Sequence, residues 1–378
     1  MKELQAERPR VYEGLDGVVV SETSLSHVDG ESGHLIVAGH DIEELASGHS
    51  FEQAARLLFC AAGDDTATTE GVLAGLQSGR QQAFLRLSKL GDALDQVDAM
   101  DALRAATGHL AETATREQIV GALAVFAAAH FRRQAGLPAI EPPAQGGHAQ
   151  ALLTMLGVRA DPARVRALDS YLVTVMEHGF NASAFAARVV ASTRSDLVSA
   201  VVAGIGALKG PLHGGAPGPV LEMLEAIGSS ERADVYLQRE LTEGRRIMGM
   251  GHRIYRQRDP RAFVLERAIE HLSASSHTDR AEDARLGARL ALARQVEKSA
   301  EALLEARYPG RNLRANVEFY TAVLLSALDV PGASFAAMFA CARSAGWAAH
   351  VAEQRTRGKL IRPRANYIGP LPVRVVSV

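Results

Sequence analysis

Apolar residues along this 378-residue chain recur at helical spacing, and that period limits the fold more than any other feature. Val165, Leu168, Leu172, Val175 and Met176 form one stripe, and Phe185, Val189 and Val190 begin a second. Leu197, Val198, Val201, Val202, Ile205 and Leu208 mark a third; Val264, Leu265, Ala268, Ile269 and Leu272 a fourth; Phe335, Met338, Phe339 and Ala342 a fifth. Residues three and four apart share one helix face, which must bury against a neighbour. Strand-like sequence is scarce: only His34-Leu35-Ile36-Val37-Ala38, before Gly39, reads as a short strand. An all-α fold is expected. The length exceeds what one small core serves, so two domains or one large one are expected. Loops are expected at 63–65, 136–147, 210–219, 248–260 and 308–316. Glycine-rich loops bracket 217–325, which suggests a smaller domain there and a larger one from 1–216 and 326–378.

The bulk numbers exclude several classes. Formal net charge is −2 with both signs interspersed, which gives no general drive toward nucleic acid or an anionic membrane. No charge-free apolar run reaches the ~18 residues a membrane span needs. The first residues, Met1-Lys2-Glu3-Leu4-Gln5-Ala6-Glu7-Arg8, lack an apolar signal core. Cys60 and Cys341 are too few and too distant for a disulfide framework or a zinc site. A soluble cytoplasmic protein is expected.

Chemistry concentrates in loops at helix ends. In Leu208-Lys209-Gly210-Pro211-Leu212-His213-Gly214-Gly215-Ala216, Pro211 ends the preceding helix and sets His213 on a turn, while the paired glycines let a ligand approach the backbone. In Gly249-Met250-Gly251-His252-Arg253-Ile254-Tyr255, a histidine sits beside two glycines, and Asp259-Pro260-Arg261 follows. Asp259 suits an N-cap and Pro260 a first helical position, so Arg261 projects where amides and dipole favour an anion. Glu177-His178-Gly179-Phe180-Asn181-Ala182-Ser183 ends one helix and opens another. In Asn316-Val317-Glu318-Phe319-Tyr320, Asn316 can cap a helix and put Glu318 in its first turn, where the dipole favours a carboxylate base. Arg343 lies in an apolar helix and demands an anionic partner; Arg362 follows in Lys359-Leu360-Ile361-Arg362-Pro363. Several arginines facing one pocket imply a ligand with more than one carboxylate, and histidines supply neutral donors to carbonyl oxygens. No H-E-x-x-H occurs and no metal site is expected. His34, His40, His49, His130 and His350 read as packing or surface groups.

With these motifs in this order, the chain resembles the citrate synthase family, from Gly14-Leu15-Asp16-Gly17-Val18-Val19 through Gly39-His40-Asp41-Ile42-Glu43-Glu44-Leu45 to Ile361-Arg362-Pro363. The resemblance implies an all-α homodimer with a large domain and a smaller mobile one. It implies condensation of acetyl-CoA with oxaloacetate followed by thioester hydrolysis, without a metal or tightly bound cofactor; the coenzyme A thioester is a substrate. His213 would donate to the thioester oxygen, His252 would polarise the keto group of oxaloacetate, and Glu318 would be the enolising base. His178, Arg261 and Arg343 would bind oxaloacetate, and Arg362 would reach the partner subunit's site. Gly249, Met250, Gly251, Arg311, Arg314 and Asn316 fall where the family holds CoA.

The family's base is normally an aspartate in an N-V-D segment. Glu318 keeps the carboxylate but moves its oxygens by roughly 1 Å, a displacement that can cost about a hundredfold in rate unless the backbone compensates. Pro217 stands where many members have asparagine. A 2-methylcitrate synthase using propionyl-CoA, and a catalytically weak paralogue, are the alternatives.

Overall fold

The computed structural model describes residues 10–15, 17–213, 217–275 and 280–370, with side chains at 217, 275 and 280–283 left aside. The chain opens in a small antiparallel sheet of β1 (Ser26–Asp29), β2 (His34–Val37) and β3 (His40–Asp41), in which Val28 faces Leu35 and Val37 faces His40. The expected strand is β2. Its partner β1 has no alternating apolar pattern to betray it. Among the described residues, helices then follow without further sheet: α1 (Ile42–Gly48), α2 (Phe51–Ala61), α3 (Thr69–Arg86), α4 (Ala99–Thr107), α5 (Arg116–Gln134) and α6 (His148–Leu156). Next come α7 (Pro162–Val175), α8 (Ala182–Ser192), α9 (Leu197–Leu208), α10 (Pro217–Ile227) and α11 (Ala233–Thr242). The series ends with α12 (Pro260–Ser275), α13 (Arg280–Arg307), α14 (Val317–Ala327) and α15 (Phe335–Arg357). The all-α expectation holds, and each of the five apolar stripes lies on a helix: α7, α8, α9, α12 and α15.

Local chemistry starts these helices where they start. Ser50 and Thr115 form reciprocal capping boxes with Gln53 and Gln118, while Asp161, Asn181 and Asp196 cap α7, α8 and α9. Each such cap stabilises its helix by about 1 kcal/mol. Pro162 and Pro260 sit at first helical positions, where their missing N–H costs nothing. Helices α5 and α15 are buried on almost every face and form the centre of the molecule. Helices α3 and α5 approach so closely that a Cβ on Gly79 would lie 2.3 Å from the Gln118 carbonyl oxygen, and one on Gly121 2.3 Å from that of Leu76. Substituting either glycine would push the pair apart.

Two packings position the site. The C-terminal end of α7 and the N-terminal ends of α8, α12 and α14 converge, with α15 passing beneath them. Helix α12 packs on both α7 and α14, and α15 packs on α8, α9 and α7. No helix among the described residues is long and apolar enough to cross a membrane.

Candidate functional site

His178 follows the last turn of α7. The turn is pinned from below by Glu177, whose Oε1 accepts bonds from the Gly179 amide (2.7 Å), Ser26 Oγ (2.9 Å) and His350 Nε2 (3.1 Å). His350 Nδ1 in turn faces Arg188 Nη1 at 3.1 Å, and Arg188 donates to Glu353 Oε2 at 2.7 Å. His350 is thus part of a buried charge network tying α8 and α15 to the His178 turn, which a reading as mere packing understates. The His178 ring is buried, and burial first, then Arg261, His252 and Arg343, push its pKa well below 6.5. It is a neutral imidazole whose Nε2 lies 3.1 Å from Tyr255 Oη.

His252 lies on the loop after α11. Its Nδ1 accepts bonds from the amides of Ile254 and Tyr255, both at 3.1 Å, so the ring proton sits on Nε2. Burial, then Arg261, lowers its pKa to about 4, which keeps it neutral. Arg261 Nη2 stands 3.4 Å from His252 Nε2. Both groups are donors, so they converge on the position an acceptor oxygen would take rather than bonding to each other.

Asp259 organises this corner. Its carboxylate holds Arg261 through Nε (3.0 Å) and Nη2 (2.7 Å), accepts the Arg261 amide (3.0 Å), and accepts the Val317 amide at 3.2 Å. One buried carboxylate thereby serves the N-termini of α12 and α14 together. Burial works against the Arg261 charge, but Asp259 offsets it and the guanidinium pKa is raised. Arg261 is therefore already paired within the protein; only the edge not held by Asp259 remains for a ligand.

Asn316 corrects another expectation. It stands at the N-cap position of α14 but makes no side-chain capping bond. Its Nδ2 donates to the Gly251 carbonyl at 3.0 Å instead, while Asp259 caps the helix from outside and Asn316 Oδ1 is buried without a partner. The Asn316 amide bonds to Gly249 O (3.0 Å) and the Gly251 amide to Arg314 O (2.7 Å), around an isolated bridge between Met250 and Ala315. Gly249 and Gly251 have φ of 74° and 87°, a left-handed backbone that favours glycine, and a Cβ on Gly249 would also meet Phe319 at 2.9 Å.

His213 sits half-buried beyond α9. The Ser183 amide points at its Nε2 from 3.3 Å, a contact that calls for a lone pair on Nε2 and the proton on Nδ1, and Ser183 Oγ lies 2.9 Å from the same nitrogen. Ser183 Oγ is held by Trp347 Nε1 (3.1 Å) and Asn181 Oδ1 (2.7 Å). Burial, then Arg343, lowers the His213 pKa to about 4. Gly214, Gly215 and Ala216 lie outside the described residues.

Glu318 is in the first turn of α14, half-buried, and no other described residue hydrogen-bonds its carboxylate. Burial raises its pKa above the ordinary glutamate value, with Arg261 pulling the other way. The helix-dipole argument from sequence pointed to an easily ionised group; the low-polarity setting outweighs it. Arg343 is buried in α15, with Nε on the Val175 carbonyl (2.6 Å), the guanidinium over Phe339 at 4.7 Å, and Nη2 without a partner. Burial lowers its pKa to about 10, leaving it charged at neutral pH. A buried cation with an orphaned donor is complementary to an anionic ligand.

The structure thus gathers His178, His213, His252, Arg261, Arg343 and Glu318 into one electrostatically coupled group. It leaves three others at the rim or beyond. Arg314 pairs with Glu301 (2.6 Å), Arg311 is exposed over Tyr308 (5.5 Å), and Arg362 is exposed on the irregular segment after α15. Sequence reasoning missed Tyr255, Glu177 and Ser183 as site-shaping groups and saw Asp259 only as a cap. The Tyr255 signal was present in the H-R-x-Y spacing. Among the described residues, no group of three or more His, Cys, Asp or Glu is arranged to hold a metal ion. A cavity of about 860 Å3 lies elsewhere, between α1, α7, α12 and α13, and holds none of these six side chains.

A family model described as citrate synthase, C-terminal domain, matches residues 14–364. A citrate synthase from Mycolicibacterium smegmatis is 35% identical over 97% of this chain and 97% of its own. A 2-methylcitrate synthase from Mycobacterium tuberculosis is 37% identical over 96% of this chain and 92% of its own. Among solved structures, citrate synthase from Thermotoga maritima MSB8 superposes with a TM-score of 0.80 at 33% identity, covering 97% of this chain and 98% of the other.

Proposed function

The chain belongs to the citrate synthase family of condensing transferases, and from that premise we propose that it joins acetyl-CoA to oxaloacetate, giving citrate and CoA. The observation that carries this reading is the pair of neutral imidazoles gathered with the charged groups. His213 and His252 are held neutral with one ring N–H each to spare, beside a carboxylate and two arginines.

In this reading Glu318 takes a proton from the acetyl methyl carbon while His213 Nδ1–H donates to the thioester oxygen, where negative charge develops. The resulting enol carbon forms a bond to the keto carbon of oxaloacetate. The keto oxygen, accepting from His252 Nε2–H and Arg261, takes up the electron pair and the His252 proton and becomes the hydroxyl of citryl-CoA. Water then adds to the thioester carbon, the C–S bond breaks, and the two water protons go to the departing CoA sulfur and back to His252. His178, Arg261 and Arg343 hold the oxaloacetate carboxylates. Gly249, Met250, Gly251, Asn316, Arg311 and Arg314 line the CoA side, and the orphaned Asn316 Oδ1 is an acceptor suited to that role.

Residues 217–325 act as a smaller domain closing on the larger one, in a cytoplasmic homodimer whose Arg362 extends to the partner's site. The exposure of Arg362 supports that last role. Thiol release from acetyl-CoA and propionyl-CoA, each with oxaloacetate, tests the activity. A larger kcat/KM with acetyl-CoA is expected; preference for propionyl-CoA would make the chain a 2-methylcitrate synthase. Oxaloacetate binding without turnover of either thioester would make it a weak paralogue.

A further inference from the structure

We propose that Tyr255 is a positioning residue that sets the tautomers of His178 and His252 together, and thereby decides how tightly the keto-acid substrate is held. This rests on the reading of His178 as an oxaloacetate ligand. The three rings form a closed triangle: centroids are 4.7 Å apart for His252 and Tyr255, 5.7 Å for His178 and Tyr255, and 5.6 Å for the two histidines. Tyr255 is 1% exposed, and the Arg261 guanidinium carbon lies 5.9 Å from its ring centre.

The two hydrogen bonds come from different parts of the residue. Its backbone N–H, together with that of Ile254, donates to His252 Nδ1, both at 3.1 Å, which leaves His252 with Nε2–H. Its phenol has one proton, and among the described residues the bond recorded for Oη is to His178 Nε2, at 3.1 Å. A buried hydroxyl proton needs an acceptor, so Nε2 supplies its lone pair and the His178 proton sits on Nδ1. Burial holds the phenol pKa above its ordinary value and the His178 pKa below its own, so neither group ionises at neutral pH. Each histidine then offers one neutral N–H to a ligand oxygen. Without the phenol proton, His178 Nδ1 turns for part of the time into a lone pair, which repels a carboxylate oxygen. That penalty falls on bound substrate and transition state alike, so it raises KM and leaves kcat nearly unchanged.

Tyr255→Phe removes the phenol proton and keeps the amide. In full-length protein with 15N-labelled histidine, the wild type should show His178 as the Nδ1–H tautomer, and the variant a mixture, with His252 unchanged in both. Oxaloacetate KM should rise about tenfold with kcat within about twofold, the size expected for one buried hydrogen bond. In a His178→Asn background, Tyr255→Phe should cost nothing further, whereas a merely structural role would give additive losses. A wild-type His178 protonated on Nε2, an unchanged oxaloacetate KM, or additive losses would each overturn the proposal. Absence of any wild-type turnover would sink the proposed activity instead, while the unliganded tautomer measurement still decides the role of Tyr255.

Discussion

Around His252 and Arg261 nearly every polar group has its partner within the protein, whereas around His213 and Glu318 the same chain supplies few. On the first side Asp259 accepts four hydrogen bonds and joins two helix N-termini, and both His252 and His178 are bonded through Tyr255. On the second side His213 rests on Ser183 from a turn that runs into glycines, and no other described residue hydrogen-bonds the Glu318 carboxylate. The difference fits the proposed division of labour. A keto acid with two carboxylates is best met by a preorganised cradle. A base that must take up and release a proton works best with a raised pKa and no partner competing for its lone pairs.

The contrast can be broken most severely at Asp259. Asp259→Ala would strand the Arg261 charge in the interior and uncap α14, a change expected to cost about 3–5 kcal/mol of folding stability. Denaturant titration should register it, together with weakened oxaloacetate binding. Full stability would mean that the cradle is not built on this carboxylate.

A change on the open side should leave the fold alone and strike the rate. His213→Gln should lower kcat by about 10²–10³, the usual loss for one donor to a developing oxyanion, with oxaloacetate affinity within about twofold by calorimetry. An equal loss of oxaloacetate binding would erase the distinction between the halves.

The mildest test is the pH profile. As the proposed base Glu318 would act ionised, so kcat/KM should fall as pH drops through its raised pKa, above the ordinary glutamate value of 4.5. His213 and His252, with pKa values lowered to about 4, stay neutral across that range and should add no limb near 6.5. Activity lost on raising the pH past 6.5 would show that a protonated histidine is required.

Much of this arrangement was legible in the sequence, and the rest was hidden for definite physical reasons. Helix positions follow from apolar period and capping chemistry, so α7, α8, α9, α12 and α15 could be read directly. The strand β1 could not, because Ser26-His27-Val28-Asp29 is paired to β2 by backbone bonds rather than by an apolar face. His178, His213 and His252 stand out beside glycines and helix ends. Their tautomers depend on Tyr255 and the Ser183 amide, which a linear reading cannot bring within 3–4 Å. Asn316 was legible as a cap by type, yet Asp259, 58 residues before Val317, bonds the Val317 amide, leaving Asn316 to tie down Gly251. Arg261 and Arg343 both read as anion-binding groups; only the fold distinguishes the one neutralised by Asp259 from the one with an orphaned donor.

The central claim, that a fixed keto-acid cradle faces a lightly held base, is tested most directly by Glu318→Gln. Thiol release from acetyl-CoA and oxaloacetate affinity by calorimetry should be measured on the same folded protein. The account predicts a loss of turnover of about 10³-fold or more with oxaloacetate Kd within about twofold. Turnover within about tenfold of the wild type, or loss of oxaloacetate binding, would contradict it.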